Sequence, residues 1–299
     1  MKKLQGVIIP MVTPLDEEEK VAEEDVKRLI EHLLKNEISG IFLLGTQGEG
    51  PALRDEEKQR LVEIVLNEVK TKIPVLVNIS DTSTTRVIAN ARKAEKLGAD
   101  VLVSSLPYYY PAKMDEEVLN FFKAVVGNIN TPFCIYDLPR ITGAEISLEV
   151  LLTLSREPKI IGVKDSSGNF RRFRERVALF KDRDDFGVAQ GDEWTDDVSL
   201  LIGADAIVPG IGSLAPSLCV KLYKAAKEGR IGMAKSYQER LLKLFKVYGD
   251  NIEFWCAGIK ESLRLLGVFQ KARPSQPLPQ LTEERRKRIY QIMKEVKLM

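Results

Sequence analysis

Histidine is nearly missing: the 299 residues hold one, His32. A single imidazole can build neither a histidine triad nor a histidine-rich metal centre. His32 itself sits in "KRLIEHLLKNE", at helical spacing, and reads as an ordinary helix residue. Cysteine is almost as scarce. Cys134, Cys219 and Cys256 lie far apart and form no C-x-x-C pair. That argues against a disulfide framework or a zinc ribbon and fits a reducing cytoplasm. Excess charge is lacking too, since 45 Lys and Arg against 43 Asp and Glu leave a formal +2. Such a balance calls for no nucleic acid and no membrane surface, and leaves small molecules as the expected partners. No apolar run is long enough to span a bilayer, and the first run is interrupted at Pro10, Thr13 and Pro14. With no metal cluster and no phosphate-cradling glycine loop, no metal or cofactor is expected, and the chemistry falls to Lys, Tyr, Thr, Asp or Glu.

What is present is a repeat. Short β-branched runs recur: "GVIIPMV", "GIFLLGT", "PVLVNIS", "DVLVSSL", "PFCIYDL", "IIGVKDS", "FGVAQGD" and "ADAIVPG". They lack the alternation of half-exposed strands, so they read as buried parallel strands. Segments with helical periodicity separate them, "AEEDVKRLIEHLLKNE" and "FRRFRERVALFK" among them. About eight βα units predict an α/β protein, a (β/α)8 TIM barrel. The barrel is expected over residues 1–229, with a C-terminal helical extension over residues 230–299 packed on it.

Barrel enzymes place chemistry at the C-terminal ends of their strands. Those positions include Thr46 to Glu49, Tyr136 and Asp137, Lys164 and Asp165, Gln190 to Glu193, and Val208 with the following Pro209 to Ser213. A strand-end lysine ordinarily snorkels its ammonium to water. In a dry barrel mouth, burial disfavours the charged form, and a free amine can attack a carbonyl to give an imine. Tyr136, on the adjacent strand, could shuttle protons; it could also be a core residue with a bonded hydroxyl. Thr46 and the amides of "GTQGEG" could hold a carboxylate, with Gly48 allowing close approach, or form only a turn.

Taken together, "GTQGEGPAL", "PYYYP", "YDLPRITG" and "IIGVKDSSGN" resemble the class I pyruvate aldolase family that includes dihydrodipicolinate synthase and N-acetylneuraminate lyase. The likeness runs over nearly the whole chain. It implies that Lys164 is the Schiff-base lysine, that Tyr136 is the proton-transferring phenol, and that Thr46 and Gln47 cradle the pyruvate carboxylate. It also implies that Tyr109 enters a neighbouring subunit's site, hence a homotetramer built as a dimer of dimers.

Three places depart from the family pattern. Gln47 stands where most members carry a second hydroxyl, and an amide cannot relay a proton. Ile141 occupies the place of the arginine that binds aspartate semialdehyde in the synthase branch, with Arg140 one residue early. Pro209 replaces a hydroxyl residue of the sialic-acid lyases. A pyruvate-dependent aldolase acting on a 2-keto-3-deoxy sugar acid is therefore expected, with Arg140, Glu193 and Val208 as further substrate contacts. Glu193 could equally cap the helix that follows it. The alternatives are a 4-hydroxy-tetrahydrodipicolinate synthase, a dehydratase using the same imine, and an idle barrel that only binds a keto acid.

Overall fold

The computed structural model describes residues 3–249 and 254–299. Eight strands close a barrel in chain order: β1 (Gly6–Pro10), β2 (Gly40–Leu43), β3 (Val75–Asn78), β4 (Val101–Ser104), β5 (Phe133–Asp137), β6 (Ile160–Asp165), β7 (Gly187–Gln190) and β8 (Ala206–Ile207). Every neighbouring pair is parallel, and β8 pairs with β1 to complete the ring. This is the expected (β/α)8 barrel.

Strand side chains alternate between two cores. Ile8, Phe42, Leu76, Val103 and Cys134 fill the barrel interior, while Val7, Ile9, Ile41, Val75 and Val77 pack outward against the helices. Both faces are buried, which is why the strands read as continuous apolar runs. Each fully buried Val, Ile, Leu or Phe contributes roughly 1.5–3 kcal/mol, so the two layers are the main support of the barrel.

The outer layer comprises α1 (Glu23–Leu34), α2 (Asp55–Val69), α3 (Thr84–Leu97), α4 (Asp115–Gly127), α5 (Pro139–Thr142), α6 (Leu148–Leu154), α7 (Phe170–Phe180), α8 (Asp196–Leu201) and α9 (Pro216–Lys227). The short α5 is not expected from periodicity, because four residues are too few to show it. Pro139 starts it with a preset φ and Gly143 stops it in the left-handed region, at φ 67. Past the barrel lie α10 (Ile231–Leu244), a 3-10 turn at Phe245–Tyr248, α11 (Trp255–Leu265) and α12 (Glu283–Glu295). Among the described residues, no helix is long and apolar enough to cross a membrane.

The turn behind Lys164 is built by its own residues. Asp165 Oδ1 accepts the Ser167 amide at 2.8 Å, and Asn169 caps α7 by accepting the Arg172 amide at 3.1 Å. The chain thus passes from the lysine to the cap of α7 in five residues.

Candidate active site

Tyr136 and Lys164 are Cα partners across β5 and β6. Their side chains meet inside the barrel mouth, where Lys164 is 7% and Tyr136 4% exposed. The Lys164 Nζ lies 3.6 Å from the centroid of the Tyr136 ring and donates to Ser166 Oγ at 3.1 Å. The Tyr136 hydroxyl reaches Thr46 Oγ1 at 3.4 Å. Burial pushes the Tyr136 phenol up, but the positive charge of Lys164, with hydrogen bonds from Lys164, Thr46 and Ser166, outweighs it and holds the phenol below its ordinary value. A phenol poised this way can take and return a proton next to an amine.

Backbone closeness makes room for the lysine. A Cβ at Gly191 would stand 2.1 Å from Ser166 Oγ and 3.1 Å from Lys164 Cε, so any larger residue would push Ser166 aside and crowd the lysine. Below Lys164 a narrow apolar gap is lined by Ile8, Phe42, Val103, Cys134 and Val208, which places the expected contact Val208 on the floor of the site.

The "GTQGEG" loop is held from beneath. Thr13 Oγ1 donates to the Gly48 carbonyl at 2.7 Å, and the buried Glu49 turns away from the mouth towards α11. Thr46 is thereby left exposed and Gln47 half-buried at the rim.

Beside the loop stands Glu193. It does not cap α8: the cap position is Thr195, whose side chain accepts no amide of the helix. The Glu193 carboxylate is claimed from other elements instead. Its Oε2 accepts the Ile211 amide and its Oε1 accepts the Tyr248 hydroxyl, both at 2.7 Å. Gln47 belongs to the same group, since a Cβ on Gly210 would lie 3.0 Å from Glu193 Oε1, 3.3 Å from Gln47 Oε1 and 3.4 Å from the Tyr248 hydroxyl. Burial pushes the Glu193 carboxyl up to about 7, against the Ile211 and Tyr248 bonds, which favour the charge.

That shift has a measurable sign. A carboxyl raised from 4.5 to about 7 binds its proton more tightly folded than unfolded, so stability falls as pH rises from 4.5 to 7 and levels off above. Glu193→Gln, which cannot ionise, should flatten that slope: its melting temperature relative to wild type should rise by a few degrees between pH 5 and pH 7.5. Parallel melting curves for the two proteins over this range would contradict the assignment.

Arg140 lies exposed on α5 and Ile141 beside it is 56% exposed. Arg140 is near enough to favour ionisation of Asp192, whose carboxyl burial and Asp165 push up. Tyr109 lies outside the Lys164 cluster, 70% exposed and stacked edge-to-face on Tyr110 at 5.0 Å. Two members of the site escaped sequence reasoning. Ser166, the first residue past β6, could have been found in the polar run that follows Lys164. Tyr248 had no local signal, since it meets Glu193 across 55 residues of chain.

Comparison with known proteins shows the family. The model of the dihydrodipicolinate synthetase family matches residues 3–296. The 4-hydroxy-tetrahydrodipicolinate synthase of Archaeoglobus fulgidus is 30% identical over 295 residues, covering 99% of both chains. That of Bartonella bacilliformis is 31% identical over 94% of this chain and 95% of its own. Among solved structures, dihydrodipicolinate synthase from Bacteroides thetaiotaomicron superposes with a TM-score of 0.93 at 31% identity, covering 98% of each chain. YagE, a prophage protein of E. coli K12 solved with pyruvate, gives 0.92 at 26% identity over 99% of each. The chain belongs to the dihydrodipicolinate synthetase family and is a Schiff-base-forming class I pyruvate aldolase.

Proposed function

We propose that the chain joins pyruvate to a short hydroxylated aldehyde, and in reverse cleaves a 2-keto-3-deoxy sugar acid. The Lys164 amine adds to the C2 carbonyl of pyruvate, and loss of water leaves a protonated imine. Tyr136 removes a C3 proton, and the imine nitrogen takes up the electron pair to give an enamine. The enamine carbon then bonds to the aldehyde carbon, whose oxygen collects the proton from Tyr136. Addition of water to the resulting imine releases the product and restores the amine. Thr46, with the amides of Thr46 and Gln47, holds the pyruvate carboxylate throughout.

The observation that carries the choice of aldehyde is the lining opposite the lysine. Gln47, Glu193 and Tyr248 converge there, and among the described residues the buried Gln47 Nε2 has no partner. A polyol tail offers hydroxyls that both accept from an amide and donate to a carboxylate. A carboxylate-bearing acceptor would face Glu193 and Asp192, and Ile141 supplies no charge against it. In this reading Tyr109, exposed on its own chain, serves a neighbouring subunit in a dimer of dimers; sedimentation of a monomer at assay concentration would remove it from the scheme.

A second reading is favoured by the names of the relatives, which are 4-hydroxy-tetrahydrodipicolinate synthases. Arg140 would then have to meet the acceptor carboxylate of aspartate semialdehyde. The two readings separate in one assay, offering pyruvate with glyceraldehyde, glycolaldehyde, N-acetylmannosamine or aspartate semialdehyde. The first reading expects the highest kcat/KM with glyceraldehyde or glycolaldehyde. Preferential turnover of aspartate semialdehyde would overturn it.

A further inference from the structure

The segment "FRRFRERVALF" reads as a helix with a charged outer face, yet one of its arginines is wholly buried. On α7 the inward stripe is Phe173, Arg176, Val177 and Phe180, and Arg176 has no exposed surface. Its Nη1 donates to Asp165 Oδ2 at 2.6 Å, and its Nη2 donates to Asp137 Oδ2 at 2.6 Å and to the Ile146 carbonyl at 2.7 Å. Asp137 and Asp165 are the residues immediately after Tyr136 and Lys164, and they too are Cα partners across β5 and β6. Successive strand residues face opposite sides. One guanidinium therefore grips, from the helix side, the two strands whose inner side carries the phenol and the amine.

The grip answers two difficulties. Carboxylates directly opposite each other on neighbouring strands repel, and burial pushes the Asp137 carboxyl up even with Arg176 and Arg172 beside it. The β5–β6 pairing also shifts register between Phe133 and Cys134, below the site. Beyond such an irregularity the register must be secured again, since a slip of one residue would turn Tyr136 or Lys164 out of the barrel. The planar fork of arginine matches two separated carboxylates, which the point charge of lysine cannot do.

We propose that Arg176 is a positioning residue for the aldolase reaction: by bridging Asp137 and Asp165 it sets the Tyr136–Lys164 geometry on which imine formation depends. The inference rests on the imine reading of Lys164. The test follows timed borohydride trapping of pyruvate on Lys164, with a pH profile and a melting curve, in three proteins. These are wild type, Arg176→Lys, and the triple variant Arg176→Met, Asp137→Asn, Asp165→Asn, which removes the buried charges together so that no carboxylate is stranded.

Both folded variants should trap pyruvate about ten- to a hundred-fold more slowly at saturation, as expected for a misplacement near 1 Å. Half-saturating pyruvate should change little, and the pH limb set by Tyr136 should move upward as its contact with Lys164 loosens. A folded variant with the wild-type rate and pH profile would overturn the inference whatever its melting temperature, because a purely stabilising ion pair moves only the latter. Should the triple variant not fold, Arg176→Lys decides alone by the same criteria. Wild-type protein without an adduct on Lys164 would overturn the imine reading and this inference together, whereas a normal wild-type adduct with unchanged variants removes only the role of Arg176.

Discussion

Lys164→Arg, incubated with pyruvate and reduced with borohydride, should show no mass gain on the peptide spanning Lys164, while wild type gains the reduced adduct. Arginine keeps the positive charge, so the test separates an amine that forms a bond from a cation that only attracts a carboxylate. Aldol turnover should fall to background in the same variant. Tyr136→Phe should still form an adduct, with turnover lowered by about 10²–10⁴-fold, the usual contribution of one positioned proton-transfer group. The phenylalanine ring keeps the surface on which Nζ rests at 3.6 Å and removes only the hydroxyl that meets Thr46. An adduct on any other lysine would reassign the nucleophile.

Lys260→Met should be strongly destabilising although it lies outside the site. Lys260 on α11 and Glu49 in the cradle loop are both fully buried, with Nζ 2.5 Å from Oε1. The same carboxylate accepts the Ser275 amide at 2.6 Å and the Ser275 hydroxyl at 2.7 Å, while Nζ also donates to the Arg273 carbonyl at 2.8 Å. Removing one partner strands the other charge in the interior, which costs about 3–5 kcal/mol and lowers the melting temperature by on the order of 10 °C. Replacing both, as Glu49→Gln with Lys260→Met, should cost less than the sum of the single changes. Glu49 follows Thr46 and Gln47 in a tight loop and itself holds a left-handed backbone, at φ 55. A loosened loop should therefore raise the KM for pyruvate more than it lowers kcat. Wild-type melting of Lys260→Met would show that the pair contributes nothing.

These two predictions differ in how they could be reached. Lys164 and Tyr136 are legible in the chain because buried parallel strands leave short apolar runs, and a polar residue closing such a run stands at the barrel mouth. The pair Glu49–Lys260 is not, since in sequence Glu49 is part of a glycine-rich turn and Lys260 one cation on a helix. Arg176 misleads for a related reason: in a segment dense with arginine, composition predicts a solvated face, and only the carboxylates arriving from β5 and β6 make its burial tolerable. Glu193 shows the limit from the other side. Its position in the mouth follows from the end of β7, but its bonds to Ile211 and Tyr248, rather than to the start of α8, depend on segments 18 and 55 residues away.

By itself, then, the sequence determined the barrel, the order of its strands, and the lysine and phenol at its mouth, because strand periodicity and burial on both faces are local properties that recur in every unit. Only the tertiary structure decided which charges are buried together, which groups gather around Gln47 and Glu193, and how Arg176 ties Asp137 on β5 to Asp165 on β6. Those depend on contacts between residues far apart in the chain, where a favourable partner can reverse what a charged residue alone would do.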